Sequence, residues 1–274
     1  MADRHAIEQM CDWLSVSRSG YYDWLARAPS ERALATEKLD AEIQRIAEAE
    51  SFRPGAPKIT ERLRRAGHQV GRNRVAKRMR ALSIRSRVAR KFKATTNSNH
   101  RFPVAPNLLE QNFQAQAPNQ KWVSDITYID TGEGWLYLAV VMDLYARKII
   151  GYALSDRMHT KLTVDALTMA IFRRKRPRDV IVHSDRGSQY CAAEYQRLLK
   201  AHGLVASMSK RGDCYDNAAM ESWNRSLKTE AIHGERLRTR QQAREAVFEY
   251  IEIYYNRRRL HQALGYQTPC EFEA

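Results

Sequence analysis

Three acidic residues stand where their side chains could do chemistry. Asp125 interrupts the alternating run "KWVSDITYI", Asp185 ends the apolar run "DVIVHSD", and Glu221 lies in the helical stretch "NAAMESWNRSLKTE". Between Asp185 and Glu221 there are 35 residues. Carboxylates offer only hard oxygen donors, the kind that Mg²⁺ and Mn²⁺ prefer. Two such ions about 4 Å apart can clamp the attacking and leaving oxygens of a phosphodiester displacement. Strands would fix two of the carboxylates and a helix the third. Taken singly, an aspartate at a strand end is more often a cap or turn residue. Asp143, Asp213 and Asp216 compete as ligands, and Asp216-Asn217 also reads as the cap of the helix bearing Glu221. His183 and Asn217 are expected beside the carboxylates, and His261 reads as structural. Arg225 and Lys228 follow Glu221 by four and seven residues, so helical spacing puts all three on one face, with the cations pointing along the same groove.

The surrounding pattern supplies the elements that must hold these residues. Strands are expected at about 121–129, 135–143, 147–154, around "DVIVHSD" and at "LVASMS", with helices at 160–173, 192–202, 218–231 and 239–256. The order β-β-β-α-β-α-β-α-α describes an α/β domain whose mixed sheet begins with a three-stranded meander. Gly187, just past Asp185, is expected to turn the backbone away and leave space for a bulky ligand.

The N-terminal part reads as all-helical. Residues 4–27 suggest two short helices, the first with Ile7, Met10, Cys11 and Leu14 at helical spacing, the second capped by Ser15 or Ser17. A helix at 36–50 carries Leu39, Ile43 and Ile46. "KITERLRRAGHQVGRNRVAKRMRALSI" then gives a short helix, a turn at Gly67 and a second helix over about 72–82. Arg72, Arg74, Lys77, Arg78 and Arg80 make the outer surface of that second helix cationic, as docking in a DNA major groove requires. Three regions follow: a helix-turn-helix-type region at 1–90, a linker at 91–118 and an α/β domain at 119–274.

Charge points the same way. The formal net charge is +15, but residues 51–100 hold 15 basic and one acidic residue, whereas residues 1–50 are net −4. Such a block favours a polyanion, since each neutralised phosphate releases counterions. No apolar stretch reaches the ~20 residues of a membrane span, and the opening "MADRHAIEQM" has no apolar signal core. Cys11, Cys191, Cys214 and Cys270 lie far apart, so neither a zinc knuckle nor a disulfide framework is suggested, and a cytoplasmic setting is expected.

The words "APNQKWVSDITYI", "HSDRGSQY", "SKRGDCYDNAAMESWNRSLKTE" and "YYNRRRLHQALGYQTPCEF" resemble bacterial insertion-sequence transposases of the OrfB type, which carry a retroviral-integrase-like DDE core. "SVSRSGYYDWLAR" and "GAPKITERLRRAG" are similar to that family's N-terminal region, so the resemblance spans nearly the whole chain. It implies an RNase H-like core, a mixed five-stranded sheet with flanking helices. It makes Asp125, Asp185 and Glu221 the ligands of Mg²⁺, for which Mn²⁺ can substitute, and Lys228 a DNA contact. The implied reaction is cleavage at the element's ends by water, then attack of the freed 3′-OH on a second phosphodiester. The implied partners are terminal and target DNA, further copies of the chain, and the upstream reading-frame product. Nucleoid association follows, and no zinc is expected, because the integrase His/Cys module has no counterpart here. A nuclease that cuts without joining, a DNA-binding regulator on an inactive scaffold and a structural nucleoid protein are the alternatives. An intact acidic set weighs against the last two.

Overall fold

The computed structural model describes residues 6–87, 104–210 and 217–274. The chain divides into two compact units, Met1–Ser86 and Arg87–Ala274. The predicted linker lies partly outside the described residues.

The first unit is helical. Helices α3 (Glu31–Ala49), α4 (Ala56–Arg65) and α5 (Arg72–Ala81) pack Leu39, Ile43, Ile59, Leu63, Val75 and Met79 into one core. The spacing of these residues predicts that result, because each helix has one narrow apolar stripe. Gly67 (φ +88°) ends the turn that separates α4 from α5. Ahead of them lie α1 (Ile7–Trp13) and α2 (Arg18–Ala26), the latter capped by the Ser17 hydroxyl, which accepts from the Gly20 N–H. Here the expected apolar face does not form a core. Of the four periodic residues only Cys11 is buried, and Leu14 is 73% exposed. Two helices this short bury one stripe only if a third element covers it.

The second unit is a three-layer α/β domain. Strands β1 (Lys121–Ile129), β2 (Leu136–Asp143) and β3 (Lys148–Ser155) form an antiparallel meander. β4 (Ile181–Ser184) and β5 (Val205–Met208) add in parallel, giving the order β3-β2-β1-β4-β5. Alternation along β1 sends Val123 and Ile129 to one face and Trp122 and Ile126 to the other. The second face is covered by α6 (Thr160–Arg173), α7 (Ser188–Cys191) and α8 (Ala193–Ala201). α6 lies so close to β3 that a Cβ on Gly151 would sit 2.2 Å from the Ala166 carbonyl oxygen. The first face is covered by α9 (Ala218–Leu227) and α10 (Arg240–Phe248), with a short α11 (Pro269–Glu273) at the end. Both covering helices change pitch. α9 continues as a π-helical turn over Lys228–Ile232, and α10 as another over Glu249–Tyr255. A wider turn rotates the residues that follow it, and such turns cluster at functional places.

Candidate active site

The two aspartates meet where the parallel ladder stops. β1 and β4 pair only from Lys121↔Ile181 to Val123↔His183. Extending that register by two residues puts position 125 across from position 185 on the same face of the sheet. A crevice where parallel strands end and their neighbours part is the usual place for a ligand in an open α/β sheet.

Each carboxylate is held by hydrogen bonds. Asp125 Oδ1 accepts from the Ile126 N–H at 2.9 Å, and its Oδ2 accepts from Asn224 Nδ2 at 2.8 Å. Asp185 Oδ1 accepts from the Gly187 N–H at 2.9 Å. Gly187 has φ −60°, which any residue adopts, so the glycine is not needed for conformation. It is needed for room: an added Cβ would stand 3.0 Å from Asp185 Oδ1. Burial first, and then the charge of Asp185, pushes the Asp125 carboxyl up to about 7, with Glu221 adding a smaller push and the two hydrogen bonds opposing it. A cation would favour the ionised form that burial and the neighbouring Asp185 disfavour.

Glu221 stands apart from the pair. α9 buries Met220, Trp223 and Leu227 against the sheet, each contributing about 2 kcal/mol or more, and turns Glu221 and Arg225 to solvent. Among the described residues, no three His, Cys, Asp or Glu side chains stand grouped closely enough to hold a metal ion. The donor set has the right chemistry, all carboxylate oxygen, and Asn224 ties the Glu221 helix to Asp125, but Glu221 is not drawn in. Residues 211–216, which lead into α9, lie outside the described residues, and with them Asp213 and Asp216.

Several other expectations need correction. Lys228 does not share an exposed face with Glu221 and Arg225. Lys228 is only 8% exposed, at the start of the π-helical turn. Its ammonium lies 4.6 Å from the Tyr128 ring centroid. Burial lowers its pKa to about 8, with Asp125 opposing the fall. Asn217 occupies the cap position of α9, yet its side chain caps nothing. Its Nδ2 donates instead to the Ser124 carbonyl on β1, at 3.5 Å. Asp143 is fully buried, accepting from Asn119 N–H, Tyr145 N–H and Arg174 Nη2, so it is a structural acid. Arg78 is not presented outward with Arg72, Arg74 and Lys77. Its Nε donates to Asp40 Oδ1 at 2.7 Å, which binds α5 to α3. His183 is wholly buried on β4, its ring nitrogens 2.8 Å from Ser207 Oγ and 3.2 Å from Ser209 Oγ, where it fastens β4 to β5. His261 is buried, edge-on to Tyr255, as a structural residue would be.

A buried network escapes sequence reasoning altogether. Arg259 donates through Nε and Nη2 to both oxygens of Glu230, at 2.8 to 3.1 Å, and through Nη2 to Ser226 Oγ. The Tyr250 hydroxyl donates to Glu230 Oε2 at 3.0 Å. The network joins the end of α9 to both π-helical turns and to the "NRRRLHQALGY" segment. Only the density of charge and aromatics in "YYNRRRLHQ" hinted at it.

Comparison with known proteins agrees with this architecture. Two models described as "Integrase core domain" match residues 115–214 and 202–269, and one described as "HTH-like domain" matches residues 34–92. The chain is 48% identical over 270 residues to "Transposase InsF for insertion sequence IS3A" of Escherichia coli (strain K12), covering 98% of this chain and 94% of that one. It is 47% identical over 265 residues to the "Insertion element IS600 uncharacterized 31 kDa protein" of Shigella sonnei, covering 96% and 97%. A chain in the cryo-electron-microscopy structure of the simian T-cell lymphotropic virus intasome with the PP2A regulatory subunit B56 gamma superposes with a TM-score of 0.50. It shares 15% identity over 84% of this chain and 74% of that one, a likeness of fold alone. The identity to the IS3A protein over nearly the whole of both chains, with an integrase core behind an HTH-like region, places this chain in the IS3-type insertion-sequence transposases, a family of polynucleotidyl transferases.

Proposed function

We propose that Asp125, Asp185 and Glu221 are the catalytic carboxylates of this transposase and hold divalent metal, Mg²⁺ or Mn²⁺, during reaction. The observation that carries the reading is the coupled Asp125–Asp185 pair at the end of the β1–β4 ladder, with Asn224 tying Asp125 to the helix of Glu221. Bound there, the metal would neutralise charge on the attacking and leaving oxygens. The protein's part is orientation. The N–H groups of Ile126 and Gly187 and the Asn224 amide fix which carboxylate oxygens face the crevice. Closure of the set by Glu221 belongs to the DNA-bound state. Water then attacks a phosphodiester at an element end and releases a 3′-oxygen, and the freed 3′-OH attacks a second phosphodiester. Arg72, Arg74, Lys77 and Arg225, all exposed, are the proposed backbone contacts, with further copies of the chain and the upstream reading-frame product as partners.

The test uses labelled duplexes that carry the element's own ends, with Mg²⁺. Wild type should cut and join, whereas Glu221→Gln should bind DNA and do neither. A variant as active as wild type refutes the assignment. Cutting without joining, with the upstream product present, favours the nuclease reading.

A further inference from the structure

Helix α5 turns one uncharged amide outward among its cations. Val75 and Met79 face the core. Arg78 is bound to Asp40 of α3, and Arg74 leans the same way, its Nη2 3.5 Å from Thr36 Oγ1. With the core side and the α3 side fixed, the ~100° step of a helix leaves Asn73, Lys77 and Arg80 as one stripe turned from both. All three are exposed. Asn73 is the second residue of α5, and the first residues of a recognition helix are the ones that reach base edges in a major groove.

The fold gives Asn73 no task of its own. It lies outside the core, and its amide hydrogen-bonds to no other described residue. Gly71, at the cap position of α5, has φ −93°, and an added Cβ would meet nothing within 4 Å. Neither backbone nor packing asks for glycine there, so the start of α5 is left open to a close neighbour. Charge identifies that neighbour. α5 has no acidic residue, and Glu61, the one acid among residues 51–100, lies 3.8 Å from Arg65. With every acid of α3 counted, residues 31–86 still hold 14 basic and seven acidic residues. Of those acids, Asp40 and Glu50 are taken by Arg78 and Arg62. The excess is real, and it fits a polyanion.

We infer that Asn73 reads an adenine in the major groove of duplex DNA, while Arg72 and Lys77 hold the flanking phosphates. The inference deepens the reading of α5 as a DNA-facing helix and rests on it. Lysine and arginine offer donors alone, which suits phosphate oxygens. A carboxamide offers an acceptor and a donor side by side. In the major groove adenine shows an N6–H donor beside the N7 acceptor, so one asparagine closes two hydrogen bonds with it. Guanine shows two acceptors there, cytosine a donor, and thymine an acceptor and a methyl group, so none of them matches the amide in that geometry. The phosphate contacts set the register, and the amide between them supplies the choice of base.

The test uses the whole chain and its Asn73→Ala, Arg72→Ala and Lys77→Ala variants. Each selects from randomised duplexes, and affinity for the wild-type selection is read by fluorescence anisotropy at fixed salt. Wild type should recover a sequence with an adenine that no other base replaces without loss. Asn73→Ala should bind that sequence about 10-fold more weakly and accept all four bases at that position alike, with the other positions unchanged. It should melt with wild type, because no described residue loses a bond. Arg72→Ala and Lys77→Ala should weaken every duplex alike and keep the preference. In a second arm the adenine is replaced by 7-deazaadenine, which lacks the N7 acceptor. Wild type should lose affinity several-fold and Asn73→Ala none, and the wild-type half of this arm needs no variant. The inference is overturned if wild type recovers no preferred adenine, or if it binds 7-deazaadenine as well as adenine. It is overturned too if Asn73→Ala weakens all duplexes equally and keeps the base preference. Should Arg72→Ala and Lys77→Ala both bind as wild type does, α5 is not the DNA-facing helix and both readings fall. Should they weaken binding while Asn73→Ala keeps the adenine preference, only the base contact falls.

Discussion

Replacing Asp125 with asparagine should make the metal-free protein more stable above neutral pH while it abolishes activity. In the folded state burial and Asp185 raise this carboxyl from 3.8 to about 7. Between about pH 4 and 7 the folded chain keeps a proton that the unfolded chain has already released. Stability from this group is therefore whole below the unfolded value and falls as pH rises through the window. The ceiling on that loss is about 4 kcal/mol, at ~1.4 kcal/mol for each tenfold difference in proton affinity. The Asp125 residue is partly open to solvent, so about half of that, ~2 kcal/mol, is the working figure. For a unit of this size it corresponds to roughly 4 to 8 °C in melting temperature. Calorimetry in chelator from pH 5 to pH 8 should show the wild-type midpoint dropping relative to Asp125→Asn. Added Mg²⁺ should lift the wild type at pH 8 and leave the variant where it was. A wild-type midpoint that is flat or rising relative to the variant over this range refutes the strained acidic pair. A variant that responds to Mg²⁺ as the wild type does refutes the metal assignment.

The buried pair just past α9 makes a second prediction. Glu230→Ala leaves Arg259 desolvated without its anion and should cost about 3 to 5 kcal/mol in urea unfolding, whereas replacing both residues with methionine should cost much less. Gly187→Ala should fold normally but bind Mn²⁺ more weakly in titration calorimetry, because its Cβ presses on Asp185 Oδ1. Arg72→Ala and Lys77→Ala should each weaken DNA binding and lower the salt slope by about 1. Arg78→Ala should act mainly by lowering the melting temperature, because it loses the Asp40 pair.

The succession of strands and helices along the chain and the places of Asp125 and Asp185 within it were legible because they depend on local pattern. Period-two alternation gives β1, a short apolar run gives β4, and three consecutive strands imply a meander. The apolar stripes of α3, α4 and α5 were readable for the same reason. What failed depended on contacts distant in sequence or on a break in period. Helical spacing placed Lys228 beside Glu221 and Arg225, but its burial against the Tyr128 ring is a contact distant in sequence that spacing does not show. Asn224 looked like an ordinary polar helix residue until β1 supplied Asp125 as its partner. Arg78 sat within a uniform cationic run, and only the packing of α5 on α3 selects it for Asp40. Leu14 had the right spacing for a core residue but is 73% exposed among the described residues.

The most direct test of the catalytic assignment is the position of bound metal. Crystals of the protein with an element-end duplex, grown in Mn²⁺, should be measured at a wavelength where manganese scatters anomalously. Anomalous density is expected at the end of the β1–β4 ladder, ligated by Asp125 and Asp185 with Glu221 drawn in from α9. Density elsewhere, or density at this site that leaves any of the three unligated, would contradict it.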